Sequence, residues 1–155
     1  MPLDADMKRV VAEQSLGFVA TVCPDGTANV SPKGTLAVYD DEHLVFLDLH
    51  SPGTIRNLGV NPSIEINVVD PIRRKGYRFK GEATVVGPGA GLEQILDVLG
   101  REPGPARDRV RHAVLVRVEL MGPLVSPAYD LGASEQEVVA RWRARHLELS
   151  SDTQL

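Results

Sequence analysis

Between Leu16 and Leu120 the chain alternates short, apolar, β-branched runs with turn signals, a rhythm that points to an antiparallel β-fold. Leu16 to Cys23 and Thr27 to Ser31 read as extended segments on either side of Pro24-Asp25-Gly26, which predicts a hairpin. Gly34 to Tyr39 and His43 to Leu49 flank the acidic turn Asp40-Asp41-Glu42. The second of these runs is apolar on both faces, as in a barrel wall that is covered outside. Ser63 to Val69 alternates Ile64, Ile66 and Val68 inward, Asp70-Pro71 turns the chain, and Tyr77 to Val86 supplies another long strand. Val110 to Leu120 alternates Val114, Val116 and Val118 against Leu115 and Arg117, and Leu124-Val125 adds a short edge.

Helices fit only between these strands and at the ends. Asp6 is placed to cap a first helix carrying Met7, Val10 and Val11 on one face, broken at Leu16-Gly17. Ser51-Pro52 reads as N-cap and first helical position, with Gly59 and Asn61-Pro62 stopping the helix. Leu92, Ile95, Leu96 and Leu99 form the stripe of another helix, ended by Gly100. Ser134 to Glu137 is a capping box that opens a final helix with Val138, Trp142 and Leu149. The Pro-rich, charged stretch Arg101 to Arg109 is expected to be a mobile loop. The fold class that follows is mainly β (α+β): six or seven antiparallel strands with Greek-key-like topology, closed into a barrel because closure removes exposed edges, and flanked by short helices.

Composition bounds the rest. At 155 residues, 43% hydrophobic and 25% charged, the chain fits one domain, expected over residues 1–149 with a flexible tail at 150–155. The formal charge of -4 gives no general attraction to phosphate backbones, so no nucleic acid is expected as a partner. No apolar run approaches the roughly 18 residues of a spanning helix, so no membrane is expected either, and the chain reads as cytoplasmic. Cys23 is the only cysteine, which excludes an intrachain disulfide, and its apolar surroundings favour a buried strand thiol over a nucleophile.

The chemistry concentrates in two places. Ser51 to Asn57 opens a helix whose N-terminal N–H groups suit a phosphate, although on this segment alone a plain Ser51 cap is the simpler reading. Lys33, just after a strand, is either a solvated turn lysine or the charge that faces Ser51 and Thr54 across a groove. Arg73, Arg74, Lys75, Arg78 and Lys80 form a basic group that is either an exposed hairpin tip or, through Arg78 and Lys80 on one strand face, a contact to the same phosphate or to a substrate anion. His50 precedes the cap and is placed to donate to a ligand, whereas His43, His112 and His146 read as structural. The catalytic residue set is unknown from sequence: no GxSxG elbow, HExxH pair or Walker loop is present, and the four histidines lack ligand spacing for a metal. Such an inventory suits a protein whose cofactor carries the chemistry.

In their order, Ala28-Asn29-Val30-Ser31-Pro32-Lys33-Gly34, His50-Ser51-Pro52-Gly53-Thr54-Ile55-Arg56-Asn57, Asn61-Pro62 and Gly76-Tyr77-Arg78-Phe79-Lys80-Gly81 resemble the FMN-binding split barrels of the pyridoxamine 5′-phosphate oxidase-like family. Ser126-Pro127-Ala128-Tyr129-Asp130-Leu131-Gly132 looks like a subgroup of them. The resemblance implies a homodimer with FMN in grooves between subunits. It implies that Lys33, Ser51 and Thr54 bind phosphate with Arg56 and Asn57 close by, and that Val30, Ser31, Leu47 and Asp48 run beside the ring system. It further implies an FMN-dependent oxidoreductase that uses a reduced nucleotide or other small reductant as electron donor. Relatives that bind the deazaflavin F420 or heme give one alternative, and a non-catalytic flavin-binding or electron-carrier module gives another. Pro52-Gly53 replaces the Arg-Lys pair of the oxidase proper and its C-terminal Arg and His pattern is missing, so vitamin B6 oxidation is not expected. A C-terminal helix with Arg141, Trp142, Arg143 and Arg145 stands instead, Trp142 serving as core or as a cover over the neighbouring subunit's site.

Overall fold

The computed structural model describes residues 2–100 and 106–152. Seven strands, β1 (Gly17–Val22), β2 (Ala28–Lys33), β3 (Ala37–Val38), β4 (His43–Asp48), β5 (Ser63–Asp70), β6 (Lys75–Val86) and β7 (His112–Val125), form one antiparallel sheet. Their order is β2-β1-β5-β6-β7-β4-β3. The sheet curls into a half-barrel whose inner face carries Val19, Phe46, Ile64, Ile66, Val68, Phe79, Val114 and Val116, all but closed to solvent. Helix α1 (Ala5–Gln14) covers this core with Val10 and Val11, and α2 (Pro52–Val60) contributes Leu58.

The two ends of the curled sheet meet beyond β2. Thr35 Oγ1 donates to the Leu47 carbonyl at 3.2 Å and accepts the Leu47 N–H at 2.9 Å, so the link from β2 to β3, the two ends of the strand order, is tied to β4. Alternation then explains the unbroken apolar run in β4: Leu44 and Phe46 face the inner core, while Val45 and Leu47 pack outward against Leu92, Ile95 and Leu96 of α3 (Ala90–Leu99).

Glycine marks the two closest backbone approaches. A side chain on Gly76 would run into the Val68 carbonyl, and one on Gly81 into the Arg117 carbonyl, where a bulge shifts the β6–β7 register. These are the glycines that flank the Tyr77-to-Lys80 motif.

Several local details differ from the sequence expectations. The segment from Gly34 forms a strand only at Ala37–Val38; Thr35 stands opposite Leu47 in the same register, and its hydroxyl bonds the Leu47 backbone there. Leu124 and Val125 continue β7 and pair with Gly76 and Lys75, so they add no separate edge. Asp4, not Asp6, caps α1 by accepting the Met7 N–H at 2.8 Å, which frees Asp6 to accept the Tyr77 hydroxyl at 2.5 Å. Of the expected mobile loop, residues 101–105 lie outside the described residues, and Arg107–Arg109 form a single 3-10 turn in which Arg107 bridges Glu93 and Asp97.

A short helix α4 (Pro127–Asp130) leads to α5 (Glu135–Ser151), opened as read by Ser134, whose hydroxyl accepts the Glu137 N–H at 3.1 Å. The β5–β6 turn holds its start. The Arg74 guanidinium stacks 3.4 Å from the Trp142 ring centre, the Tyr129 hydroxyl donates to the Arg73 carbonyl, and Lys75 pairs with Glu135. Residues 153–155 of the expected tail lie outside the described residues. Among the described residues, no helix is long and apolar enough to cross a membrane.

Candidate functional site

On β2 the side chains of Asn29, Ser31 and Lys33 share the face of their β1 partners Thr21, Val19 and Gly17. Because β2 is a sheet end, this inner-facing row opens into a groove. Its far wall is the start of α2, set there by the tie from Thr35 to Leu47 just before the turn His50-Ser51. The groove, of about 310 Å³, is lined by Val30, Ser31, Lys33, His50, Ser51 and Thr54 together with Asn29, Pro32 and Gly53.

Lys33 crosses this groove. Its ammonium donates to Ser51 Oγ at 2.7 Å and to Ser31 Oγ at 3.0 Å, and the residue keeps 7% of its exposure. Among the described residues no carboxylate lies within ion-pair distance of it. Burial holds its pKa below the usual lysine range, partly offset by the negative charge of Asp48. The cation is therefore surrounded by hydroxyls and helix-start N–H groups, all of which complement an anion.

Ser51 sits at the N-cap of α2 without a side-chain capping bond, since its hydroxyl is engaged by Lys33. Its N–H donates instead to Asp48 Oδ1 at 2.6 Å. The other oxygen of the buried Asp48 accepts from His112 Nδ1 at 2.7 Å, a pairing set by the β4–β7 register that puts Asp48 opposite His112. Sequence reading missed His112 as part of the site. The available signal was that both residues end alternating strands, but which strand lies beside β4 is a long-range fact.

Of the remaining candidates, Leu47 is buried beneath α3 and presents its backbone to Thr35. Asn57 is also buried, its amide donating to Thr21 Oγ1 at 3.0 Å and to Cys23 Sγ at 3.6 Å, which fixes α2 on β1. Arg56 lines a neighbouring groove with Asp48 and Ser51. Arg78 stands apart from these residues, on β6, paired with Glu65 at 2.7 Å. Thus Val30, Ser31, Lys33, His50, Ser51 and Thr54 come together, with Asp48 and Arg56 beside them.

Known proteins share this fold. The family model described as pyridoxamine 5′-phosphate oxidase matches residues 3–121. The chain belongs to the pyridoxamine 5′-phosphate oxidase-like family. The crystal structure of HupZ from Group A Streptococcus is 30% identical, covers 80% of this chain and 95% of its own, and superposes with a TM-score of 0.69. An F420 reductase is 25% identical, with 77% of this chain and 98% of that one covered and a TM-score of 0.59. An FMN-binding protein from Syntrophomonas wolfei, at 13% identity, shares the fold, with 77% and 84% covered and a TM-score of 0.62. No curated protein matches the chain.

Proposed function

We propose that this member of the pyridoxamine 5′-phosphate oxidase-like family is a cytoplasmic, homodimeric FMN-dependent oxidoreductase. The observation that carries the reading is Lys33, a buried ammonium that donates to the hydroxyls of Ser31 and Ser51. Burying a charge without an opposite charge is costly, and a ligand phosphate at that position removes the cost. Lys33, Ser51 and Thr54 then hold the phosphate with Arg56 close by, and Val30, Ser31 and the Leu47–Asp48 segment flank the ring system. Bound there, FMN supplies two-electron redox chemistry between a reduced nucleotide or other small reductant and an acceptor. The chain's own part is binding, orientation and shielding from water.

The homodimer has support in the outer sheet face. Phe18, Val30, Val69 and Leu120 are exposed there, Val30 at 62% and Leu120 at 63%, more apolar surface than one sheet face needs in water. Arg78 lies on the same face, opposite Asn67, which itself faces Phe18.

A second reading, with F420 in the same groove, is favoured by the 25% identity to an F420 reductase. Purified protein that is yellow and releases FMN on denaturation supports the first reading, and release of F420 supports the second. A colourless protein that binds neither compound overturns both. Bleaching by NADH or NADPH without a protein partner identifies an enzyme, whereas a bound flavin that only exchanges electrons with a partner protein identifies a carrier.

A further inference from the structure

A second groove, of about 270 Å³, shares only Ser51 with the first and is lined by Asp48, Arg56, Arg111 and His112 with the apolar Pro52 and Ile55. Its single acid is fully committed. Asp48 gives one oxygen to the Ser51 N–H at 2.6 Å and the other to His112 Nδ1 at 2.7 Å, and its side chain is almost closed to solvent. A carboxylate accepting at Nδ1 places a proton there, so Nε2 is the nitrogen left for a ligand, an acceptor in the neutral ring and a donor in the imidazolium. The imidazole keeps 30% of its exposure. The Arg111 N–H donates to the Asp48 carbonyl at 2.9 Å, which fixes the backbone carrying both Arg111 and His112.

Among the described residues neither Arg56 nor Arg111 has a carboxylate within ion-pair distance. Two guanidinium forks and an oriented imidazole therefore border one cavity in which the only negative charge is enclosed. A planar fork matches the oxygen pairs of carboxylates and phosphates alike.

We infer that this groove is an oxyanion-binding subsite, which takes the carboxylate or phosphate of a small organic acid between Arg56 and Arg111 with His112 Nε2 as third contact: the imidazolium donates from Nε2 to the anion, or the neutral ring accepts there from a protonated phosphate oxygen. The subsite lies beside the Lys33 groove, and Arg111 and His112 take no part in the cofactor contacts proposed there.

The test is calorimetric titration of the full chain with succinate and with inorganic phosphate, alongside FMN titration of the same preparations. Saturable binding of either anion is expected, the stronger one naming the oxyanion, with a loss of about tenfold in Arg111→Gln. His112→Asn keeps a donor for Asp48 and lacks Nε2, so it should weaken the anion similarly, while His112→Gln, which places its amide near Nε2, should retain more of it. Lys33→Met should leave the anion affinity unchanged. Absence of saturable binding overturns the inference, as does binding that survives Arg111→Gln but is lost in Lys33→Met, because the anion then sits in the first groove. FMN affinity, expected to persist in Arg111→Gln, reports separately on the cofactor reading.

Discussion

Lys33 and Ser51 meet where the two ends of the curled sheet close on each other, the ammonium donating to the hydroxyl at 2.7 Å across 18 residues of chain. The pair joins β2 to the start of α2 and makes the anion groove a property of the closed sheet. A lysine held this way is poised for a ligand at the expense of the free protein.

That conflict gives the first prediction. Burial lowers the pKa of Lys33 in the folded state, so between that lowered value and its ordinary range the unfolded chain holds more protons and stability rises with pH. Below that window the charged form is a net burden on the free fold. Lys33→Met should therefore stabilise the cofactor-free protein by about 1 kcal/mol at neutral pH, while FMN affinity falls roughly tenfold to a hundredfold. Urea denaturation and FMN titration of the same variant check both signs. A variant that loses stability and keeps its FMN affinity contradicts the account.

Asn57 leads to a different expectation. Its amide is spent on Thr21 and Cys23, so it anchors the helix that carries Ser51 and Thr54. Asn57→Ala removes a buried donor and leaves Thr21 with one partner fewer, at a cost of about 1–3 kcal/mol. The loss should appear in the urea midpoint. Its effect on FMN affinity should be smaller than that of Lys33→Met, since no ligand contact is removed.

These residues also show what was legible in the sequence. The strands, the hairpin at Pro24 to Gly26, the Ser51-Pro52 helix start and the Ser134 cap follow from local chemistry, because turn residues and capping hydroxyls act within a few positions. Lys33 and Ser51 were nameable as a pair from the strand-end lysine and the helix start, but with a solvated turn lysine as an equal reading until the order of motifs was added. The Asp48–His112 bond was not, because it depends on β7 rather than another strand lying beside β4. The short reach of β3 was hidden as well: Thr35 has a strand-compatible identity and stands opposite Leu47 in the β3–β4 register, but its hydroxyl bonds the Leu47 backbone there.

Tyr77 supplies a pH signature. Its hydroxyl donates to Asp6 at 2.5 Å, and this bond, with some burial and the carboxylate charge, pushes its pKa up to about 12. A phenol with a raised folded pKa contributes stability fully below its unfolded value of about 10 and loses it as pH rises through the folded value. The same bond lowers the pKa of Asp6, whose contribution is present above the ordinary aspartate range and lost on acidification. Ultraviolet absorbance titration should thus show a tyrosine step around pH 12, and Tyr77→Phe should abolish that step. Persistence of the late step in the variant assigns it elsewhere and removes the link between α1 and β6.

Gly81 tests the frame that holds the site together. It lies at the β6–β7 bulge, where any Cβ meets the Arg117 carbonyl, and backbone cannot yield there without shifting β7. Gly122, on β7 itself, has open space around the same position. Gly81→Ala should cost about 3 kcal/mol, and Gly122→Ala should stay within about 0.5 kcal/mol. The consequence reaches the site because β7 begins at His112 and pairs with β4 from His43 to Asp48. A displaced β7 loosens the Asp48–His112 bond, and with it the Ser51 N–H that Asp48 holds. In Gly81→Ala, protein that remains folded should therefore bind FMN more weakly than Gly122→Ala does, although neither glycine lines the groove. Equal affinities in the two variants would show that the β7 frame and the groove are mechanically independent.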